Sequence, residues 1–222
     1  MSQHLQRDLE ALKRQVLVQS VIVEDMIQMA SRTLRDNQAE LIAEITERER
    51  IVDEQEVLIE ENCLKILALH QPVAIDLRHT ATILKINNDL ERIADLAVNV
   101  AERAQGLSRH IGFIVPESFD RMTQVAVSMV RESLDAFVKL DVSVAREVCL
   151  RDDEVDALNR EVIDEMRHMM RSTPDLVDAA LYLFSASRHV ERIADHATNI
   201  AEDVIYLVDG EIARHMHDLP TF

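Results

Sequence analysis

Glu91-Arg92-Ile93-Ala94-Asp95-Leu96-Ala97-Val98-Asn99-Val100-Ala101-Glu102 returns one hundred residues later as Glu191-Arg192-Ile193-Ala194-Asp195-His196-Ala197-Thr198-Asn199-Ile200-Ala201-Glu202. Only the sixth, eighth and tenth places change. A match this dense marks an internal duplication. It extends upstream with small shifts: Pro72 and Asp76 correspond to Pro174 and Asp178, and Glu49-x-x-x-Asp53 corresponds to Asp152-x-x-x-Asp156. The repeat therefore spans at least the last two elements of each half, and does not visibly include the first.

The elements are helices. The chain has 222 residues but only 3 Gly, 4 Pro and no Trp, with aromatics at 3%, while Ala, Leu, Ile, Val, Met, Glu and Arg dominate. That is the composition of long helices joined by few turns. Leu5, Leu9, Leu12, Val16, Gln19, Val23, Met26 and Ala30 alternate steps of four and three, the seam of a bundled helix, and Gln19 alone breaks its apolar line. Asp36-Asn37 offers a stop and a new N-cap, after which Leu41, Ile45, Val52, Ile59 and Ile66 carry a second helix to about His70. Pro72 suits the first turn of a third, which runs through Ile83, Ile86, Leu90, Ile93, Ala97 and Val100 to about Arg109.

Gly106 and Gly112 then bracket the clearest non-helical stretch, so the boundary between halves is expected near residue 112. Pro116 opens a fourth helix, Asp141 caps a fifth, and Thr173-Pro174 reads as N-cap and first turn of a sixth. The expectation is an all-α protein of two tandem, internally duplicated three-helix bundles with six long helices, one bundle in 1–112 and the other in 113–222.

Charge narrows the function. Asp and Glu number 41 against 24 Lys and Arg, a net charge of -17, which repels nucleic acid and anionic lipid and favours cations or basic protein surfaces as partners. Cys63 and Cys149 stand far apart among apolar residues, outside any metal-ligand spacing, and read as reduced, buried thiols. With no charged-then-apolar leader and no apolar run near the roughly 20 residues needed to span a bilayer, the expected location is the cytoplasm.

Residues four apart share a helix face, so Glu91, Asp95 and Asn99 form a row of side-chain oxygens and Glu191, Asp195 and Asn199 form its twin. Helical geometry turns each row away from the apolar seam. Outward acidic faces are ordinary in themselves. Here, however, carboxylates stand at i and i+4 in four pairs, where they repel by a few tenths of a kcal/mol. Glu49, Glu91 and Asp152 have no Lys or Arg at i±3 or i±4. Packing the second and third helices of each half side by side would gather two acidic pairs and an Asn into one all-oxygen patch. Such a patch suits a hard cation such as iron, manganese, magnesium or calcium.

Other motifs carry less. His189 and His196 border only the second row, opposite Leu96 and either Asp89 or Leu90 in the first, and read as packing or surface residues. Glu165-x-x-His168 has the spacing of a ferritin-like di-iron ligand pair, but that site needs two such pairs and the chain has one. His215-x-His217 reads as a frayed tail. No phosphate loop, nucleophile elbow or Ser/His/Asp set is visible, so no catalytic residue is assigned.

Gln71-Pro72-Val73-Ala74-x-Asp76-Leu77-Arg78, followed by Glu91-Arg-Ile-Ala-Asp95 and again by Glu191-Arg-Ile-Ala-Asp195-His-Ala-x-Asn199, resembles the PhoU family of bacterial regulators of phosphate uptake. The likeness spans essentially the whole chain. It implies two three-helix bundles and surface clusters of iron or another metal, with manganese, zinc, magnesium or calcium as alternatives. The implied ligands are Glu49 and Asp53, Glu91 and Asp95, Asp152 and Asp156, and Glu191 and Asp195, with Asn99 and Asn199 as weaker ones. It further implies a cytoplasmic, dimeric, non-enzymatic protein that damps phosphate import. The implied partners are the ATPase subunit of the phosphate ABC transporter and the sensor histidine kinase of the phosphate two-component system. A carboxylate-bound iron store or oxidase and a purely structural helical module are the competing expectations.

Overall fold

The computed structural model describes residues 3–36, 38, 40–110 and 112–210. Among these residues six long helices follow one another: α1 (Gln3–Asp36), α2 (Leu41–His70), α3 (Ala74–Leu107), α4 (Glu117–Lys139), α5 (Val142–Ser172) and α6 (Val177–Asp209). No strand occurs among the described residues. The all-α expectation and the helix count hold. Asn37 and the His215–His217 tail lie outside the described residues.

Local chemistry sets the ends. Asp141 caps α5 as expected, its Oδ1 accepting from the backbone N–H of Ser143 at 3.0 Å and of Val144 at 3.2 Å. Gln71 and Leu140 close α2 and α4 in the left-handed conformation, and Gly210 closes α6 in the same way. One expected start shifts. Pro72 lies in the reversal between α2 and α3 and not in the first turn of α3, which begins at Ala74. Thr173 stands at the N-cap position as expected, though without a side-chain hydrogen bond (φ -140°, ψ 84°), and Pro174 opens a 3-10 turn, Pro174–Leu176, that leads into α6 at Val177.

Each triplet packs on itself, and the two triplets share one continuous hydrophobic core. The most extensive helix–helix interface is α3 with α6, which joins one half to the other. These two helices run antiparallel. Arg78 Nε donates to the Leu207 carbonyl (3.3 Å), Lys85 Nζ to Asp203 Oδ1 (2.7 Å), and His196 Nδ1 lies 2.8 Å from Asp89 Oδ1. Near the other end Gly106 admits the Tyr182 ring, where an added Cβ would collide with the ring edge. Gln19, the break in the α1 seam, is fully buried, and neither atom of its amide has a hydrogen-bond partner among the described residues.

Candidate cation sites

The four acidic pairs fall on α2, α3, α5 and α6, and the packing brings them together two by two. In the first half α2 lies against α3, and in the second α5 lies against α6. The carboxylates then feel one another across the helices. Glu49 is raised above its ordinary value by burial and by the charges of Asp53 and Asp95. Asp53 is raised by burial and by Asp95, and Glu91 by burial, Asp95, Asp53 and Glu56 against the lowering pull of Arg92. In the second half burial, then Asp152 and Glu191, push Asp195 up to about 6, with Asp156 adding and His196 opposing. Like-charge crowding is the physical signature of a patch whose repulsion an added cation would relieve.

The rows are less outward than helical geometry alone suggested. Glu49, Glu91, Asp95, Asn99, Asp152, Asp156 and Glu191 are all half-buried, whereas Asp53, Asp195 and Asn199 are exposed. Asn99 Nδ2 donates to the Asp95 carbonyl at 2.8 Å, which leaves Oδ1 as its ligand atom. Among the described residues, no three His, Cys, Asp or Glu side chains are already gathered closely enough to hold a metal ion. The oxygen donors suit a hard cation in chemistry.

The two patches differ. The second opens into a groove of about 720 Å³ whose walls include Asp152, Asp195, Asn199, Glu202 and Asp203, with Lys85 and Asp89 contributed across the seam by α3. Lys85 and Asp203 form an ion pair there, and Thr198 Oγ1 donates to Asp152 at 3.4 Å. Sequence reasoning missed Asp89, Lys85 and Asp203 because their pairing joins residues more than a hundred apart. It also missed Glu56, one helical turn beyond Asp53, whose carboxyl is raised by burial, Glu60 and Asp53. His196 is taken up by Asp89. His189 is half-buried with neither ring nitrogen bonded, and burial together with nearby Arg103 and Arg192 lowers its pKa.

A PhoU domain model matches residues 18–104 and, a second time, 119–204. The chain belongs to the PhoU family. Each matched segment contains one complete acidic patch. The phosphate-specific transport system accessory protein PhoU homolog of Deinococcus radiodurans is 36% identical over 210 residues, covering 95% of this chain and 99% of that protein. The homolog of the same description from Aquifex aeolicus is 37% identical over 211 residues, covering 95% and 96%. The crystal structure of PhoU from Pseudomonas aeruginosa superposes with a TM-score of 0.88 at 35% identity over 93% of this chain and 99% of that one. That of the phosphate transport system regulatory protein PhoU from Streptococcus pneumoniae also gives 0.88, at 24% identity over 94% and 98%, a likeness of fold. Among the described residues no helix is long and apolar enough to cross a membrane.

Proposed function

We propose that this protein is a cytoplasmic, non-enzymatic regulator of phosphate uptake that damps transport and the phosphate two-component response when phosphate is plentiful. It does so as a homodimeric adaptor between the ATPase subunit of the phosphate transporter and the sensor histidine kinase. Family membership carries this reading, since relatives that match 95% of the chain are phosphate-specific transport system accessory proteins. The net charge of -17 supports docking to basic partner surfaces. Pull-down of the purified protein against each partner tests it; absence of binding to both, with and without added cation, overturns it.

In the same reading each half holds a metal ion or cluster, iron foremost. Glu49, Asp53, Glu91 and Asp95 would supply the first site, with Asn99 Oδ1 in reach, and Asp152, Asp156, Glu191 and Asp195 the second, with Asn199. A bound cation would supply the positive charge that the crowded carboxylates lack. The carboxylates themselves would tie α2 to α3 and α5 to α6. Elemental analysis of protein purified without chelator tests this: less than one ion per chain, unchanged when all four pairs are replaced by Ala, sinks it. An iron store or oxidase of ferritin-like type finds less support, because Glu165 and His168 remain a single pair on α5.

A further inference from the structure

We propose that the outer face shared by α1 and α2 is the surface through which two copies of this chain pair, with α1 crossing its own mate antiparallel about an axis between Val18 and Val21. The inference rests on the homodimer reading above and names the surface which that reading leaves open.

The face is built from residues one helical turn apart. On α1, Arg14, Val18, Val21 and Asp25 follow one another along one side, and all four are exposed. Val18 is 57% and Val21 60% open to solvent, and on the adjoining α2 Leu58 is 47% open. Between the two helices runs a groove of about 350 Å³ whose walls include Arg14, Val18, Gln55 and Leu58. Its apolar part lies near the middle of both helices. The second half does not repeat this strip: among the described residues α4 carries no exposed large apolar side chain and α5 carries only Leu150. The same three-helix fold therefore forms without it, and the strip has to be explained by what covers it.

Charge is divided unequally about the apolar centre. On one flank Asp25 and Glu44 share Arg48, and Glu47 and Glu54 share Arg50, so four carboxylates hold two guanidiniums. On the other flank Arg7 has Asp8 and Lys65 has Glu61, while Arg14 makes no ion pair among the described residues. A twofold interface must be its own complement, since residue i meets j and j meets i. An axis between Val18 and Val21 satisfies this. Arg14 stands four residues before Val18 and Asp25 four after Val21, so each Val18 meets the partner's Val21 and each Arg14 the partner's Asp25. The acidic excess then faces the unpaired guanidinium. A basic partner protein would instead set Arg14 against like charge.

The test is sedimentation equilibrium of the full-length protein over a concentration series, with far-UV circular dichroism confirming the fold of each variant. Wild type should be a dimer. Val18→Glu with Leu58→Glu should weaken it about tenfold or more, and Val18→Ser with Leu58→Ser should weaken it too and serves if the first variant does not fold. Arg14→Asp and Asp25→Arg should each weaken it about three- to tenfold, because the pair occurs twice per dimer, and the two together should restore most of the affinity. Leu150→Glu should change nothing. A wild-type dimer that survives both changes at Val18 and Leu58, a charge swap that fails to recover, or an equal loss from Leu150→Glu overturns the inference and leaves the homodimer reading standing. A wild type that stays monomeric overturns that reading, and this inference with it.

Discussion

Replacing Asp195 by Asn probes the acidic patches most directly in the metal-free state. Burial and the fields of Asp152 and Glu191 lift its carboxyl from 3.8 to about 6 in the folded protein, whereas in the unfolded chain it stays near its ordinary value. A folded-state pKa raised above the unfolded one means that the folded protein binds this proton more tightly. Stability from this group is therefore greatest below about pH 4 and is lost as pH rises from there through about 6. At roughly 1.4 kcal/mol per unit, a shift of about two units sets a ceiling near 3 kcal/mol. Burial of Asp195 is only partial, for the residue still reaches solvent, and screening brings the expected penalty down to about 1 kcal/mol. In chelator at pH 7.5, Asp195→Asn should thus be about 1 kcal/mol more stable than wild type, and the difference should vanish by pH 4. Urea denaturation followed by far-UV circular dichroism at the two pH values measures it. A variant no more stable than wild type at pH 7.5, or a gain that survives at pH 4, refutes the argument that crowded like charge burdens this patch.

Three further outcomes are expected. Gln19→Leu should stabilise the protein by about 1–2 kcal/mol in urea, since a fully buried amide with no partner gives way to an apolar side chain of similar size; a loss of stability would show that the amide has a hydrogen-bonding role. Asp141→Ala should cost about 1 kcal/mol through loss of the α5 cap, with an unchanged urea midpoint counting against that cap. Gly106→Ala should destabilise wild type because the new Cβ strikes the Tyr182 ring. In a Tyr182→Ala background the same change should stabilise by about 1 kcal/mol, the helix-propensity gain of Ala over Gly, and calorimetric melting of the four proteins tests for the reversal of sign.

The helices were legible because their signals are local. The α1 seam from Leu5 to Ala30 and the cap at Asp141 each depend on residues within a few turns, and each is found where the sequence puts it. Pro72 was misplaced for a related reason: a proline marks a helix edge but does not say on which side of the reversal it will fall, and here the reversal consumed Pro72. The four acidic pairs were legible as rows, yet their half-burial was not, because burial depends on how the helices pack. Least legible was the seam between α3 and α6. Nothing near Asp89 announces His196, and nothing near Lys85 announces Asp203. Likewise the motif is the same at Arg92 and Arg192, yet Arg92 pairs with Glu91 and Asp95 whereas Arg192 makes no ion pair among the described residues.

The α3–α6 seam also fixes when the fold can be completed. Its polar ties close intervals of 107, 118 and 129 residues. As the chain leaves the ribosome, α1, α2 and α3 can associate early, but the side of α3 that α6 will cover stays bare until α6 has emerged. Domains tend to fold in the order of their synthesis, and long closures come late. The first half must therefore wait, partly finished, for the end of the second, and a nascent chain stalled before α6 would present that uncovered strip to every other chain nearby.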